Sequence, residues 1–314
     1  MDPLSEQIEN IILQHDRRGM RRIRPHMRSG YCGRAAALLL AGCADKSDPP
    51  SAPPHQPQAL RIVSMAPNLT EILFGLGLGE WVVGVTRYST YPPQAREKTN
   101  VGTFWQPDTE AVLALEPTLL VSLWFEQQNA LVSRVESMGC QTLTLQIETV
   151  EQLHEAILEI GQAVDKESAA QMMVWRLKDK QSTIAARYAG RDKPKVLWVI
   201  QRYPFRVAGR ETFINELIEM AGGVNAVGPT LPQYPPINTE AVIGCMPDVI
   251  IEPVMDPERM DEQRATAADF YRRYAAVPAV RRGRIHIIDG DLVSRLGPRL
   301  DEAIECVAQC LWRE

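Results

Sequence analysis

Cysteine is scarce in this chain, six in 314 residues, and no two stand as Cys-x-x-Cys. Cys306 and Cys310 share helical i, i+4 spacing. Histidine is scarcer, and beyond residue 43 only His55, His154 and His286 remain. A zinc site therefore lacks ligands in any usual spacing. No run approaches the ~20 apolar residues a membrane-spanning helix needs. Basic charge is not in excess, the formal net charge being −5, which argues against a non-specific nucleic-acid binder. Catalytic signatures are missing too: there is no P-loop, no Gly-x-Ser-x-Gly and no His-Glu-x-x-His, since His154-Glu155 is followed by Leu158. Gly75-Leu76-Gly77-Leu78-Gly79-Glu80 lacks the third glycine of a dinucleotide fingerprint. It ends a predicted helix, so it reads as a helix stop. A nucleotide-using α/β enzyme thus stands as the weaker of two function classes, and an adhesin or scaffold as a third.

What is present is ordinary for a packed protein, with 45% hydrophobic and 23% charged residues. At roughly 100–200 residues per domain the length suggests two lobes. Charge is unevenly spread. Residues 1–42 hold seven arginines against four acids, and the remainder is net acidic. Arg21 to Arg34 form a basic region, Ala35 to Ala41 a short apolar one, and Leu40-Ala41-Gly42-Cys43 follows. This resembles a bacterial lipoprotein cleavage box, with Cys43 the lipid acceptor. The alternative is a short buried apolar segment with an incidental cysteine. Residues 1–19 precede the usual start of such a signal, leaving Met20 and Met27 as alternative starts. Ala44 to Gln58 carries five prolines and reads as a semi-extended tether. The other cysteines fit an exported protein without a disulfide framework.

From Arg61 onward strands and helices alternate, which predicts parallel α/β packing. Predicted strands are 61–65, 81–85, 118–123, 141–147, 195–200, 248–251 and 284–288. Predicted helices include one capped by Asn68 and running to Leu76, then 131–138, 213–221 closed by Gly222-Gly223, and 301–312. One thirteen-residue unit occurs twice without a gap: Thr109 to Val121 and Thr239 to Ile251, 130 residues apart, both Thr-Glu-Ala-Val followed by a proline and a strand. Thr70-Glu71-Ile72-Leu73 likewise echoes Asn215-Glu216-Leu217-Ile218. Two copies predict two similar lobes about a pseudo-twofold axis. Between them lie helices over 150–164 and 168–188, the second a stiff spine that limits hinge closure. His154 is expected on a solvated or partly packed helix face, His286 on a strand with a haem-ligand role open to it.

Four segments carry a resemblance to a known family: Arg61-Ile62-Val63-Ser64-Met65-Ala66-Pro67-Asn68-Leu69-Thr70-Glu71, then Gly84-Val85-Thr86-Arg87-Tyr88-Ser89-Thr90-Tyr91-Pro92-Pro93, and the two Thr-Glu-Ala-Val helices. Over about 61–311 the chain resembles the helical-spine (class III) periplasmic binding proteins of ABC importers for cobalamin and iron-siderophores, its Tyr-Ser-x-Tyr-Pro-Pro run nearer the cobalamin branch. The resemblance implies two Rossmann-like lobes joined by a single long backbone helix. With the leader over 1–42 and the tether over 43–59 read from composition, it implies lobes over 60–160 and 191–314 and a spine over 161–190. It implies a lipid-anchored extracytoplasmic monomer with no enzyme activity or cofactor, which hands cobalamin or a related corrinoid to a membrane permease dimer. Glu110 and Glu240 match the carboxylates that dock such proteins on permease arginines; capping of the helix dipole is their simpler role. Tyr88, Trp105, Gln106, Tyr203, Phe205, Tyr234, Asp291 and Arg295 match ligand-contacting positions. Flat aromatics there suit a broad macrocycle, although any one of them alone reads equally as packing.

Two departures keep the ligand open. Gly290 to Arg295 lacks the tryptophan expected beside Asp291, and Met220 replaces a disulfide cysteine. Haem or a ferric siderophore is the alternative, with Arg87, Arg202, Arg206 and Arg295 available to an anionic chelate.

Overall fold

The computed structural model describes residues 59–312 apart from Leu231. The leader, the cleavage box at Cys43 and nearly all of the tether lie outside the described residues. In the first lobe five short strands, β1 (Ile62–Ser64), β2 (Val82–Val85), β3 (Thr99–Asn100), β4 (Leu119–Leu123) and β5 (Gln141–Leu145), form one parallel sheet in the order β3-β2-β1-β4-β5. The central strands are continuous apolar runs because helices cover both faces. Those helices are α1 (Pro67–Gly75), α2 (Thr109–Ala114) and α3 (Asn129–Glu136).

Two helices then carry the chain across. α4 (Val150–Ala163) starts in a capping box, with Thr149 and Gln152 satisfying each other's backbone N–H groups. α5 (Glu167–Arg187) is the spine, 21 residues long and so about 31 Å. The second lobe contains β6 (Lys195–Arg202), β7 (Phe205–Val207), α6 (Phe213–Met220), β8 (Val224–Asn225), α7 (Thr239–Cys245), β9 (Val249–Val254), α8 (Met260–Tyr271), α9 (Pro278–Arg281), β10 (Ile285–Asp289), α10 (Gly290–Val293) and α11 (Leu300–Trp312). Its parallel strands run β8-β6-β9-β10, and β7 returns antiparallel along the far end of β6.

The two sheets repeat each other. β2-β1-β4-β5 corresponds to β8-β6-β9-β10, with Ile62 opposite Leu119 in one lobe and Val196 opposite Val249, 130 residues on, in the other. The duplicated segments share details that the sequence pattern alone does not require. Asp108 and Asn238 cap α2 and α7, accepting from Ala111 N at 3.0 Å and Ala241 N at 2.9 Å. Val112 and Val242 are fully buried. Glu116 and Met246, each just before a proline, sit at φ 44° and 46°, a left-handed conformation uncommon outside glycine.

The lobes also share an interior. One continuous apolar core joins Leu69 and Ile72 of α1, Ile157 of α4, Leu177 of α5, Trp198 of β6 and Val307 of α11. Smaller outer cores, one around Leu120 and Val112 and one around Ile250 and Tyr271, serve each lobe separately. The spine is therefore backed by shared apolar packing, and hinge motion would have to open that core.

Several local expectations need correction. α1 begins at Pro67, whose fixed φ suits the first helical position, so Ala66 and not Asn68 is its cap. Its glycine stop is real: Gly77 lies at φ 77° and Leu78 N–H reaches back to Leu73 O at 3.0 Å. Gly222, at φ 88°, ends α6 in the same way. His154 is buried, with Nδ1 3.5 Å from Glu151. Burial, with Lys178 adding to it and Glu151 opposing, holds its pKa below the ordinary value.

Candidate ligand-binding cleft

The parallel strands of both lobes point their carboxyl ends toward the lobe interface, where open α/β sheets hold ligands. A cavity of about 240 Å³ lies there. The first lobe supplies Ala66, Pro67 and Asn68 after β1, Phe104 after β3, Leu123 at the end of β4 with Phe125 just beyond it, and Ile147 and Glu148 after β5. The second lobe supplies Ile200 from β6, Thr212 to Ile214 at the start of α6, Gln233 and Tyr234, Pro253 and Met255 at the end of β9, and Ser294 to Leu296. Both members of each 130-residue pair, Leu123 with Pro253 and Phe125 with Met255, line the same cavity. The duplication thus extends past the matching segments into the cleft walls.

An aromatic shelf on the first-lobe side abuts the cavity through Phe104; Tyr88 and Trp105 are not part of the wall. Tyr88 stacks on Trp105 with ring centroids 5.6 Å apart, and Phe104 meets Trp105 edge-on at 4.7 Å. Gln128 Nε2 donates to the Phe104 carbonyl at 2.7 Å. The Tyr88 loop rests on a buried chain of hydroxyls: Ser64 to Thr70 at 2.8 Å, Thr70 to Ser89 at 3.0 Å, Ser89 to Thr86 at 3.0 Å. Gln106 follows Trp105 on the loop after β3, is exposed and is not part of the cavity wall. On the opposite side Tyr234 is buried against the cavity, and Arg206 Nη1 donates to its carbonyl at 3.0 Å. Burial first, and the Glu148 charge second, raise the Tyr234 phenol well above the ordinary tyrosine range.

At one corner of the cleft four charged side chains close the gap between the lobes. Arg299 forks onto Glu71 of α1, Nε to Oε2 at 3.0 Å and Nη2 to Oε1 at 2.6 Å, and also reaches Asp291 Oδ2 at 3.2 Å. Arg295 pairs with Asp291, lies 3.6 Å from Glu71, and donates to the Tyr88 carbonyl at 2.8 Å. Burial lowers the Arg295 pKa against the pull of Asp291 and Glu71. For Arg299 burial acts the same way, but Glu71 and Asp291 outweigh it and the pKa rises. Asn68 Nδ2 donates to Leu296 O at 3.1 Å beside the cluster, which is where its side chain goes in place of capping α1. Asp291 and Arg295 are therefore committed to a cross-lobe network, with Arg295 also part of the cavity wall.

Other expected positions lie elsewhere. Tyr203, 74% exposed on the β6–β7 turn, meets Phe270 edge-on at 5.5 Å. Phe205 packs into the outer core of the second lobe against Tyr274 and Phe270. Neither lines this cavity. Arg202 is held within its own lobe by Glu252 at 2.9 Å. His286 sits on β10, opposite Ile251 and away from the cavity wall. Glu110 and Glu240 are exposed in the first turns of the equivalent helices, and neither carboxylate has a hydrogen bond or ion pair among the described residues. Glu148, Leu123, Phe125, Ile200, Pro253 and Met255 were not legible as site residues from composition or motif. Following the 130-residue offset four residues beyond Val121 and Ile251 would have reached four of them.

Known proteins give the same picture. The chain is 26% identical over 304 residues to the uncharacterized ABC transporter substrate-binding lipoprotein YvrC of Bacillus subtilis, covering 88% of this chain and 94% of that protein. It is 24% identical over 254 residues to the Vitamin B12-binding protein of Vibrio cholerae, covering 81% and 89%. Among solved structures, the periplasmic heme-binding protein BhuT in complex with two hemes superimposes with a TM-score of 0.72 at 26% identity, over 80% of this chain and 97% of that one. The profile described as Periplasmic binding protein matches residues 62–292, and the chain belongs to that family.

Proposed function

We propose that this protein is the substrate-binding component of an ABC importer, capturing cobalamin or a related corrinoid between its lobes and passing it to a membrane permease. The observation that carries this is the apolar cavity walled by equivalent residues of two duplicated lobes, backed by curated relatives named as ABC substrate-binding and vitamin B12-binding proteins. Such a site binds and releases; the reading asks for no bond-making chemistry. Tyr88, Trp105, Gln106 and Tyr234 would offer ring faces and polar edges to the guest, with Arg295 at the corner. Tyr203 and Phe205 would act only at the rim or through packing, and Asp291 by holding Arg295. Glu110 and Glu240 would dock the two lobes on a twofold permease, where rim charges steer association more than they fix affinity. A lipid on Cys43 would tether the domain to an extracytoplasmic membrane face.

Likeness to haem-binding structures favours one second reading of the same cleft, haem or a ferric chelate as guest. Titration calorimetry of the purified protein with cobalamin, cobinamide, haemin and ferric siderophores separates the two. One-to-one binding of a corrinoid with weak or no response to the others is the expected result; silence toward all four would overturn the importer-ligand reading.

A further inference from the structure

We infer that Cys306 and Cys310, one turn apart on α11, form a dithiol site for a soft monovalent metal cation of the copper(I) class. The site shares no residue with the cleft cavity, so it stands or falls independently of the proposed function.

Helix geometry builds the site. Residues four apart share one face of a helix. Cys306 is half-buried and lines a groove between α11 and the spine α5, while Cys310 is buried in the shared apolar core. The two side chains are hydrogen-bonded to each other, so the sulfur atoms already face one another. Cys140 and Cys245 belong elsewhere, in the outer core of the first lobe and at the end of α7.

The same geometry opposes joining the pair as a disulfide. Cβ atoms at i, i+4 lie about 5–6 Å apart, whereas a disulfide needs roughly 3.5–4.5 Å. Closing that gap would bend α11, whose last turn is pinned. Trp312 stacks on Tyr188 at 4.8 Å and donates from Nε1 to Ala221 O at 3.0 Å. Arg284 Nη2 donates to the Cys310 carbonyl at 3.4 Å. A cation between the sulfurs meets the opposite requirement, because an S–metal–S bridge is longer than an S–S bond.

Ligand count selects the ion. Structural zinc takes four ligands and iron–sulfur clusters are held by several cysteines. Among the described residues no group of three His, Cys, Asp or Glu side chains could hold a metal. Two thiolates without a third donor suit copper(I) and silver(I), soft ions that accept two ligands. The groove that leads to Cys306 has a volume of about 370 Å³. Asp301, Glu302 and Glu305 line it against Lys180 and Arg187, and Glu305 is paired with Arg187 at 2.7 Å. Three acids against two bases favour entry of a cation. On binding, two S–H bonds break, two S–Cu bonds form, both protons leave to solvent and copper stays in its +1 state. The product carries one negative charge, and the Arg284 guanidinium at the Cys310 carbonyl offsets it.

The test uses the full-length protein, reduced and handled without oxygen, titrated with copper(I) in competition with bicinchoninate, whose copper complex is coloured. Cys32→Ser, Cys43→Ser, Cys140→Ser and Cys245→Ser together isolate the pair. Cys306→Ser or Cys310→Ala is then added to that background, with circular dichroism confirming each fold. The fourfold variant should withdraw one copper per chain, and either further change should abolish uptake. If the fourfold variant does not fold, Cys306→Ser in the unaltered protein must lower uptake by one copper. Uptake unchanged by Cys306→Ser, or a folded fourfold variant that withdraws no copper, overturns the inference. A Cys306–Cys310 disulfide found by mass spectrometry in the protein as purified overturns it as well.

Discussion

Glu71 and Arg299 stand 228 residues apart in the chain and are joined by two hydrogen bonds of 3.0 and 2.6 Å across the lobe interface. The fork is bidentate, the geometry in which arginine outperforms lysine. Glu71 is buried, and Arg299 also lies 4.0 Å over the Tyr91 ring. Among the described residues, removing the arginine leaves a buried carboxylate facing only the more distant Arg295. Arg299→Ala is expected to cost about 3 kcal/mol of stability, and Arg299→Lys to recover only part of it. Urea unfolding of the three proteins checks this, and a loss under about 0.5 kcal/mol for Arg299→Ala would mean the pair is no latch.

Asp108 and Asn238 cap equivalent helices with nearly equal bonds of 3.0 and 2.9 Å. Asp108→Ala and Asn238→Ala should each lower stability by about 1 kcal/mol, and the double variant by about the sum, since the sites share no partner. Denaturant midpoints at constant m-value report both numbers. A large cost at one site and none at the other would mean the lobes do not use the repeat in the same way.

That repeat is also why so much of the fold was readable from sequence. Two copies of Thr-Glu-Ala-Val with a proline and a strand fix helix, turn and strand order in both lobes, and the apolar runs of β1, β4 and β6 identify buried parallel strands. α8 escaped because its buried face is reduced to Ala267, Phe270 and Tyr271, too sparse for a helical period. β7 escaped because the Tyr203-Pro204 turn hides a three-residue strand. Of the aromatics visible on loops between elements, Tyr234 lines the cavity, while Tyr88 and Trp105, outside the cavity wall, stack on each other next to Phe104. Phe205 looked identical in sequence, yet it packs into an outer core. Nothing local distinguishes a ring facing a cleft from one facing a neighbour, because the difference is made by Tyr274 and Phe270 some 65 residues away.

His154 gives the protein a pH dependence with a definite sign. Its folded pKa is depressed, chiefly by burial, below the ordinary 6.5. As pH falls through 6.5 the unfolded chain takes up a proton that the folded chain refuses. Stability from this residue is complete above that pH and is lost below it, down to the depressed folded value. Thermal midpoints measured at pH 7.5 and 5.5 should therefore drop less for His154→Gln than for the unaltered protein. Equal drops would assign the acid sensitivity to other groups.

Glu110 and Glu240 are exposed, equivalent and separate from the cavity. Glu110→Ala with Glu240→Ala should weaken capture of the protein by its permease in proteoliposomes, more strongly at low salt than at high, and leave corrinoid affinity within about twofold. Either single variant should give an intermediate loss, as one contact per lobe requires. Reduced corrinoid affinity in the double variant would place these carboxylates in the ligand site instead.

Leu120 and Leu123 lie on one strand, and the same substitution should do opposite things at each. Leu120 is fully buried in the outer core of the first lobe, while Leu123 ends β4 at the cavity wall. Tryptophan at 120 has no free volume to enter and must displace Val63, Val112 and Leu131, its companions in that core, so Leu120→Trp should cost about 2 kcal/mol or more. Tryptophan at 123 can turn into the roughly 240 Å³ of open space and fill it with little strain. Leu123→Trp should keep its melting temperature within a few degrees and bind cobalamin at least about tenfold more weakly. Pro253→Trp, the repeat partner across the cleft, should weaken binding as well. If Leu123→Trp is as stable as expected and still binds cobalamin with unchanged affinity, the guest does not sit between the strand ends.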